Sequence, residues 1–192
     1  MGWGSAANEA KGKLIYNGGT ACELRSSLKP ENPKLFALPD AIAVRDRLRA
    51  AGRRVVLTNG VFDLLHQGHL HSLKAARALG DALFVAINSD ASVKAIKGPA
   101  RPVENEQQRA KALGALAEVD GVVIFDEPRL TKEIRALRPD VYCKSGDYTV
   151  DTLNQEERRA LDEVGSRIEF VPFLPGHSTT ATIAKMKAAG EL

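Results

Sequence analysis

Residues 55–71, VVLTNGVFDLLHQGHLH, constrain the fold of this chain more than any other stretch. An apolar run at 55–57 is typical of a buried strand, and a polar break that contains a glycine follows it at 58–60. From Gly68 onward, apolar side chains recur at helical spacing as far as Gly80, a residue type that often caps helix C-termini. The pattern therefore predicts a strand, a tight turn and a helix in direct succession.

Two histidines, His66 and His69, lie at the predicted start of this helix. The first N–H groups of a helix have no partner within the helix, and the helix dipole is positive at that end, so phosphate binds there readily. Two imidazoles add directed hydrogen-bond donors. Gly60 allows the backbone to approach a ligand, and Gly68 leaves the helix start without a Cβ. The stretch therefore indicates a site for an anionic ligand.

Two other interpretations of these histidines compete with this one. The turn could be an ordinary strand–helix corner in which one histidine caps the helix and the other is solvated. Alternatively, His66, His69 and His71 could bind zinc. Positions i and i+5 of a helix lie on different faces, however, and no cysteine is close in the sequence. We therefore expect no metal ion held by protein ligands at this place.

The alternation of strands and helices continues along the chain. Further buried strands are predicted at 81–88, 120–125, 139–143 and 167–172. Helices are predicted at 40–51, 89–96, 104–117, 130–137 and 154–164, with a last helix that ends near residue 189. Such alternation forms a parallel sheet covered on both faces, and ligands bind at the C-terminal edge where the strand order reverses. The fold class is therefore expected to be α/β.

The first 37 residues show weak periodicity and many small or polar side chains. We expect an N-terminal extension at 1–37, either a flexible arm or an oligomer contact, and one domain at 38–192. The apolar fraction of 44% is sufficient for a core, and a net charge of +3 without a dense basic run does not require nucleic acid. Two distant cysteines and the lack of a membrane-length apolar segment predict a cytoplasmic protein with no membrane partner.

The twelve residues TNGVFDLLHQGH at 58–69 resemble the signature of the nucleotidyltransferases of the cytidylyltransferase type, T-x-G-x-F-D-x-x-H-x-G-H. The resemblance extends from about residue 55 to about residue 185. It implies a Rossmann-like open sheet of five parallel strands in the order 3-2-1-4-5, with helices on both faces. In that order the loop after the first strand, 58–69, faces the loop after the fourth strand, 144–148, where the order reverses.

The resemblance also implies roles for individual residues. His66, His69 and Lys97 are expected to stabilise the charge that develops on the transferring phosphate. The groups expected to bind the nucleotide are Thr58, Asn59, Gly60, Phe62, Gly68, Lys144, Gly146, Asp147, Ser178, Thr179 and Thr180. The groups expected to bind the second substrate are Asp63, Asp90, Arg101 and Arg109.

Hydroxyl groups at the predicted start of the last helix suit the β- and γ-phosphates of a nucleotide. At Ser178 and the two threonines after it, hydroxyls and free N–H groups meet, although any serine can also be an ordinary N-cap. The loop after the fourth strand reads KSGDY at 144–148, where the resembled family has glycine in place of Ser145. A positive φ at that position would disfavour serine, and the local backbone would then differ from that of the family.

The charged residues have simpler alternatives. Arg101 could be a solvated surface charge, and Arg109 could pair with Glu106 one helical turn away. Asp63 and Asp90 could be turn or capping residues. The spacing leaves these alternatives open, because a capping carboxylate and a substrate-binding carboxylate follow a strand in the same way.

The activity implied is that of a nucleotidyltransferase of lipopolysaccharide biosynthesis. The run KGPARP at 97–102 resembles the branch of the family that makes nucleotide-activated heptoses. We therefore expect transfer of AMP from ATP to D-glycero-β-D-manno-heptose 1-phosphate with release of pyrophosphate, CTP or GTP being alternative donors. Mg²⁺ is expected to be held by phosphate oxygens with few protein ligands. Relatives commonly dimerise, so a homodimer is expected.

Other functions are less well matched by the sequence. A glycerol-3-phosphate cytidylyltransferase is the alternative within the class, but the arginine that precedes its Ser-Thr motif is absent here. A non-catalytic nucleotide-binding module needs no cations aimed at a transition state. His177 before Ser178 lacks an acidic partner and a nucleophile elbow, so a hydrolase is disfavoured. The lack of G-x-G-x-x-G disfavours dinucleotide binding, and the lack of a basic stripe disfavours nucleic acid.

Overall fold

A computed structural model of the protein describes residues 34–146, 148–149 and 151–172. The strands are β1 (Leu35–Phe36), β2 (Val55–Gly60), β3 (Ala82–Asn88), β4 (Gly121–Phe125), β5 (Val141–Ser145) and β6 (Arg167–Val171). The helices are α1 (Leu38–Ala50), α2 (Gln67–Arg77), α3 (Asp90–Lys97), α4 (Glu106–Gly114), α5 (Thr131–Leu137) and α6 (Gln155–Val164). None of these helices in the described ranges is both long and apolar enough to cross a membrane.

The strands form one parallel sheet in the order β1-β4-β3-β2-β5-β6. The predicted α/β class is confirmed, and the five predicted strands correspond to β2 to β6 in the predicted order. The predicted number of strands is wrong by one. Leu35 and Phe36, which lie in the expected N-terminal extension, pair with Val122 and Val123 at the edge of the sheet. A strand of two residues is too short to produce a recognisable alternation of apolar and polar side chains.

Helices cover both faces of the sheet, so that its central strands are buried. Leu57 of β2 belongs to the core beneath α1, α5 and α6, whereas Val56 belongs to the core beneath α2 and α4. Successive side chains of a strand point to opposite faces, so a strand covered on both sides must be apolar at every position. All seven residues of β3 are buried, which explains why the central strands appear as uninterrupted apolar runs in the sequence.

The sequence predicted Gly80 as the C-cap of the helix that follows β2, and this prediction is wrong. Helix α2 ends at Arg77, and its C-cap is Ala78 in a right-handed conformation. A Cβ on Gly80 would lie 2.7 Å from Val56 Cγ2 and 2.9 Å from the carbonyl oxygen of Arg54. The glycine therefore permits the connection into β3 to pass close to the start of β2, a packing requirement that helical periodicity does not reveal.

Helix α4 begins two residues later than the predicted start at 104 because a capping box ends the preceding loop. The Asn105 side chain accepts a hydrogen bond from the Gln108 N–H at 3.0 Å, and the Gln108 side chain accepts one from the Asn105 N–H at 3.2 Å. Two of the otherwise unpaired N–H groups are satisfied in this way. The resulting boundary allows residues 101–104 to form a separate loop, which contacts the site described below.

Candidate active site

A cavity of about 570 Å³ opens at the C-terminal ends of β2 and β5. These two strands are neighbours, and the chain leaves β2 towards β3 on one side while β5 lies on the other. The cavity is lined from β2 by Thr58, Asn59 and Gly60, and from β5 by Cys143, Lys144 and Ser145. The predicted meeting of the two loops at the reversal of strand order is therefore present in the fold.

The turn after β2 places an aromatic ring against the second histidine. Phe62 has a positive φ of 49°, which is uncommon for a residue with a Cβ. Its ring centroid lies 5.0 Å from that of His69. A Cβ on Gly60 would lie 2.9 Å from Phe62 Cε2, so a larger residue at position 60 would displace the ring. Gly60 and Phe62 thus act together to form one wall beside His69.

His66 and His69 form a stacked pair at the start of α2. Their ring centroids are 3.8 Å apart and their planes differ by 21°. His66 is the N-cap residue, and its side chain makes no capping hydrogen bond to the first N–H groups of the helix. The positive end of the α2 dipole and the two imidazoles therefore face the same region. Burial, followed by the neighbouring His66, lowers the pKa of His69 from 6.5 to about 4, so this imidazole is neutral at neutral pH.

We expect the imidazole of His69 to titrate near pH 4 in the nucleotide-free protein and at higher pH with a bound triphosphate, whose negative charge favours the protonated ring. NMR titration, assigned with a His69→Gln variant, measures both values. Because folding lowers this pKa, the contribution of His69 to stability is complete above about pH 6.5 and declines as the pH falls towards 4. A midpoint near 6.5 without ligand would contradict the burial of the ring.

The carboxylate of Asp63 is bound within the protein. Its Oδ1 accepts hydrogen bonds from the N–H groups of Val103 at 2.8 Å and Glu104 at 3.1 Å, and its Oδ2 accepts one from Arg101 Nε. The Asp63 side chain is 1% exposed. In the described residues these contacts connect the signature turn to the loop at 101–104. The expected substrate role of Asp63 stays a prediction, and the geometry favours a role in positioning that loop.

Arg109 is also bound within the protein, and its side chain is completely buried. Its guanidinium donates hydrogen bonds to the carbonyl oxygens of Glu104, Val61 and Asn88 at 3.0, 2.7 and 2.8 Å. It also contacts the Asp90 carboxylate at 2.8 Å. Arg109 thus joins the turn after β2, the end of β3 and the loop before α4. The alternative ion pair with Glu106 does not form, because the Glu106 carboxylate accepts from the Asp90 N–H at 2.9 Å.

Lys97, at the end of α3, lines the same cavity as the strand ends. Burial lowers its pKa, and the charge of Arg101 contributes in the same direction. The nearby Asp63 carboxylate has the opposite effect. Two cations therefore lie close to one carboxylate, and Lys97 is the one of the two that lines the cavity. This position suits the expected contact between Lys97 and a phosphate.

The serine in the loop after β5 does not disturb the backbone. Ser145 is the last residue of β5, and in the described chain the residues other than glycine with a positive φ are Phe62 and Arg138. The left-handed conformation occurs one position later, at Gly146, with φ of 121°. The position that requires glycine is therefore occupied by glycine, and Ser145 is compatible with the fold.

Four of the expected nucleotide-binding residues lie outside the described part of the chain: Asp147, Ser178, Thr179 and Thr180. Their roles stay predictions. The remaining expected residues at 58–69, 88–109 and 144–146 converge on one edge of the sheet, either as cavity walls or as the internal contacts behind them.

The sequence did not single out several side chains that the fold brings to the cavity. Arg129 follows β4, while Asn154 and Glu157 belong to the start of α6. Tyr142 lies in the middle of β5 and is completely buried, yet its hydroxyl reaches Asn59. A tyrosine within an apolar strand was the one available signal, because a buried hydroxyl requires a hydrogen-bond partner.

Known proteins resemble this chain in sequence and in fold. The family model described as cytidylyltransferase-like matches residues 57–186. The bifunctional protein HldE of Hyphomonas neptunium is 43% identical over 184 residues, which cover 92% of this chain and 37% of that protein. HldE of Geobacter sulfurreducens is 47% identical over 144 residues, which cover 74% of this chain and 29% of that protein. The chain thus spans well under half the length of these relatives.

Solved structures show the same fold. The crystal structure of the lipopolysaccharide core biosynthesis protein from Thermoplasma volcanium GSS1 superposes with a TM-score of 0.53 at 28% sequence identity. The match covers 64% of this chain and 98% of that protein. Pantoate-β-alanine ligase from Francisella tularensis has a TM-score of 0.50 at 13% identity, which is a similarity of fold alone.

Proposed function

The chain belongs to the cytidylyltransferase-like family of nucleotidyltransferases, and from that premise we propose that it transfers AMP from ATP to D-glycero-β-D-manno-heptose 1-phosphate, releasing pyrophosphate. The observation that carries the proposal is the stacked pair His66 and His69 at the N-terminus of α2, beside the cavity at the reversal of strand order. A site of this kind suits the phosphates of a nucleoside triphosphate.

The proposed reaction is an in-line displacement at the α-phosphorus. A phosphate oxygen of the sugar phosphate forms a bond to that phosphorus, and the bond to the oxygen that bridges to the β-phosphate breaks, so that pyrophosphate leaves. The attacking phosphate is already anionic, so the protein needs no general base. Its contribution is to position the two substrates and to stabilise charge. We assign imidazole N–H groups of His66 and His69 to the α- and β-phosphates, and Lys97 to the transferring phosphoryl group.

Mg²⁺ fits this site as an ion that arrives with the nucleotide. Among the described residues there is no group of three histidine, cysteine, aspartate or glutamate side chains that could hold a metal ion. Two carboxylates of the surrounding loops are engaged, Asp63 by Arg101 and Asp90 by Arg109. The ion would therefore be held chiefly by phosphate oxygens, and when bound it would neutralise part of their charge.

The sugar acceptor is supported by two kinds of similarity. The run at 97–102 resembles the heptose branch of the family. The matched protein of Thermoplasma volcanium is described as acting in lipopolysaccharide core biosynthesis, and a nucleotide-activated heptose suits that process. ATP as the donor, Mg²⁺, a homodimer, a cytoplasmic location and the division at residue 37 stay predictions. Sedimentation velocity of the full chain would measure the oligomeric state.

Pyrophosphate release with Mg²⁺ tests the proposal. ATP, CTP, GTP and UTP are each paired with heptose 1-phosphate and with glycerol 3-phosphate. We expect turnover with ATP and the heptose. Turnover with another triphosphate and the heptose would correct the base, and turnover only with CTP and glycerol 3-phosphate would replace the acceptor. Tight nucleotide binding without turnover in any pair would contradict catalysis with these substrates and favour a binding module.

A further inference from the structure

Three polar side chains form a hydrogen-bonded cluster at the cavity, and we refer to Asn59, Tyr142 and Lys144 as the polar trio. Asn59 and Lys144 line the cavity, whereas Tyr142 is completely buried behind them. The side-chain oxygen of Asn59 accepts hydrogen bonds from Tyr142 Oη and from Lys144 Nζ, each at 2.8 Å. An ammonium group only donates, so the amide oxygen must face Lys144. The orientation of the Asn59 amide is thereby fixed, and its NH₂ group makes no hydrogen bond to any described residue.

Lys144 has donor capacity beyond the trio. Its ammonium carries three N–H bonds, of which one is directed to Asn59, and its distance to Tyr142 Oη is 3.4 Å. It also lies 5.2 Å from the centroid of the Tyr148 ring. No carboxylate of the described residues lies within ion-pairing distance of it, and burial lowers its pKa. A partly buried ammonium with remaining donors is stabilised by a polar ligand.

Glu157 provides an acceptor on the same cavity wall. The residue is 5% exposed, and its Oε1 accepts a hydrogen bond from the Leu130 N–H at 3.2 Å. Burial raises the pKa of Tyr142 and lowers that of Lys144, and the negative charge of Glu157 acts upward on both, which places it in the electrostatic neighbourhood of the trio. Glu157 lines the cavity together with Asn154 and Thr152. This end of the cavity thus offers fixed donors and a fixed anionic acceptor.

These groups suit hydroxyls better than phosphate or a base. Glu157 would repel a phosphate, and His66, His69 and Lys97 already provide a cationic end for one. A nucleobase carries its donors and acceptors along its edge and also needs apolar walls for its two faces, whereas a hydroxyl is small and both donates and accepts. A ribose has only two free hydroxyls, fewer than the polar groups available here can engage. We propose that Asn59, Lys144 and Glu157 bind the hydroxyl groups of the acceptor sugar, an inference that rests on the proposed function and replaces the nucleotide contact that the family resemblance implies for Asn59 and Lys144. Tyr142, which is buried behind them, is the positioning residue that orients Asn59.

Two conservative substitutions test this subsite. Tyr142→Phe removes one hydrogen bond to Asn59, and Glu157→Gln keeps an acceptor for the Leu130 N–H but removes the charge. The matched control is Glu163→Gln, on the same helix but exposed and paired with Arg135. The KM for the sugar phosphate and the KM for the nucleotide are measured separately, each at saturating concentration of the other substrate. Thermal unfolding checks that each variant folds. If one of the two subsite variants does not fold, Lys144→Met is measured in its place.

We expect the KM for the sugar phosphate to rise about tenfold or more in Glu157→Gln, because a hydrogen bond to a charged group is lost, and roughly fivefold in Tyr142→Phe, because Asn59 loses one of the two donors that orient it. The KM for the nucleotide should change less than about twofold in both variants. The control should change neither constant. A rise in the nucleotide KM alone would overturn the inference and assign the cluster to the nucleotide, and unchanged constants would also overturn it. Absence of wild-type turnover with every triphosphate would refute the proposed function itself, and the subsite with it.

Discussion

Replacement of His69 by alanine is expected to lower kcat by about 10²- to 10³-fold, the effect of removing one donor that stabilises a developing negative charge. His69 lines the cavity, and its ring is held between Phe62 and His66 with centroid distances of 5.0 and 3.8 Å. Two neighbours therefore determine its orientation, so the donor is preorganised. The same loss is expected for His66→Ala. The measurement is the steady-state rate of pyrophosphate release at saturating substrates.

His71 provides the matched control for both variants. It lies on the same helix but is exposed and faces a separate surface depression with Leu70 and Lys74. His71→Ala should leave kcat within about twofold of the wild type, because surface substitutions away from a site have small effects. A His69→Ala protein that folds and keeps more than half of the wild-type kcat would contradict the assigned role. Circular dichroism of the three variants separates loss of catalysis from loss of fold.

Replacement of Arg109 by methionine is expected to lower the free energy of unfolding by roughly 2–4 kcal/mol, less than for a fully buried ion pair because the Asp90 side chain is 30% exposed and keeps part of its solvation. The variant keeps the aliphatic volume but leaves Asp90 and three carbonyl oxygens without their donor. These groups belong to three separate segments around the site, so activity should fall as well. Chemical denaturation of the wild type and the variant measures the difference.

Lys111→Met is the control for Arg109→Met. Lys111 lies two residues away on α4 and is exposed, so the same loss of a positive charge should change the free energy of unfolding by less than about 0.5 kcal/mol. If Arg109→Met also costs less than about 1 kcal/mol, then the guanidinium does not hold the loops together, and a direct contact with substrate becomes the better explanation of this residue. Arg109→Lys should recover only part of the stability, because an ammonium cannot reproduce the planar fork of donors.

The fold could be predicted largely from local patterns. The buried runs that became β2 to β6 are apolar at every position because helices cover both faces, and a continuous apolar run of strand length is visible without any structure. The edge strand Leu35–Phe36 was missed because two residues carry no period. The function of Gly80 was misassigned for a related reason: the close approach to Val56 and Arg54 involves residues that are distant in sequence.

Some features of the site depend on residues close together in the sequence and could be predicted, whereas others depend on distant residues and could not. The signature at 58–69 already predicted a strand, a turn and a helix start that carries two histidines, because all of its parts are neighbours in the chain. The roles of its charged residues could not be predicted in the same way, because an aspartate that binds substrate and an aspartate that holds a loop look identical in a sequence. Only the fold shows that both oxygens of Asp63 accept internal hydrogen bonds.

Local order in the sequence thus determined the elements, their succession and the phosphate-binding turn, since each depends on residues within a few positions of one another. The tertiary structure decided which side chains face the cavity and which support it from behind. Arg109 is joined to Val61 across 48 positions, and Asn59 to Tyr142 across 83, by hydrogen bonds that exist only after the sheet has assembled. The physical reason is that burial and hydrogen-bond partnership are properties of the folded chain, whereas periodicity is a property of the sequence.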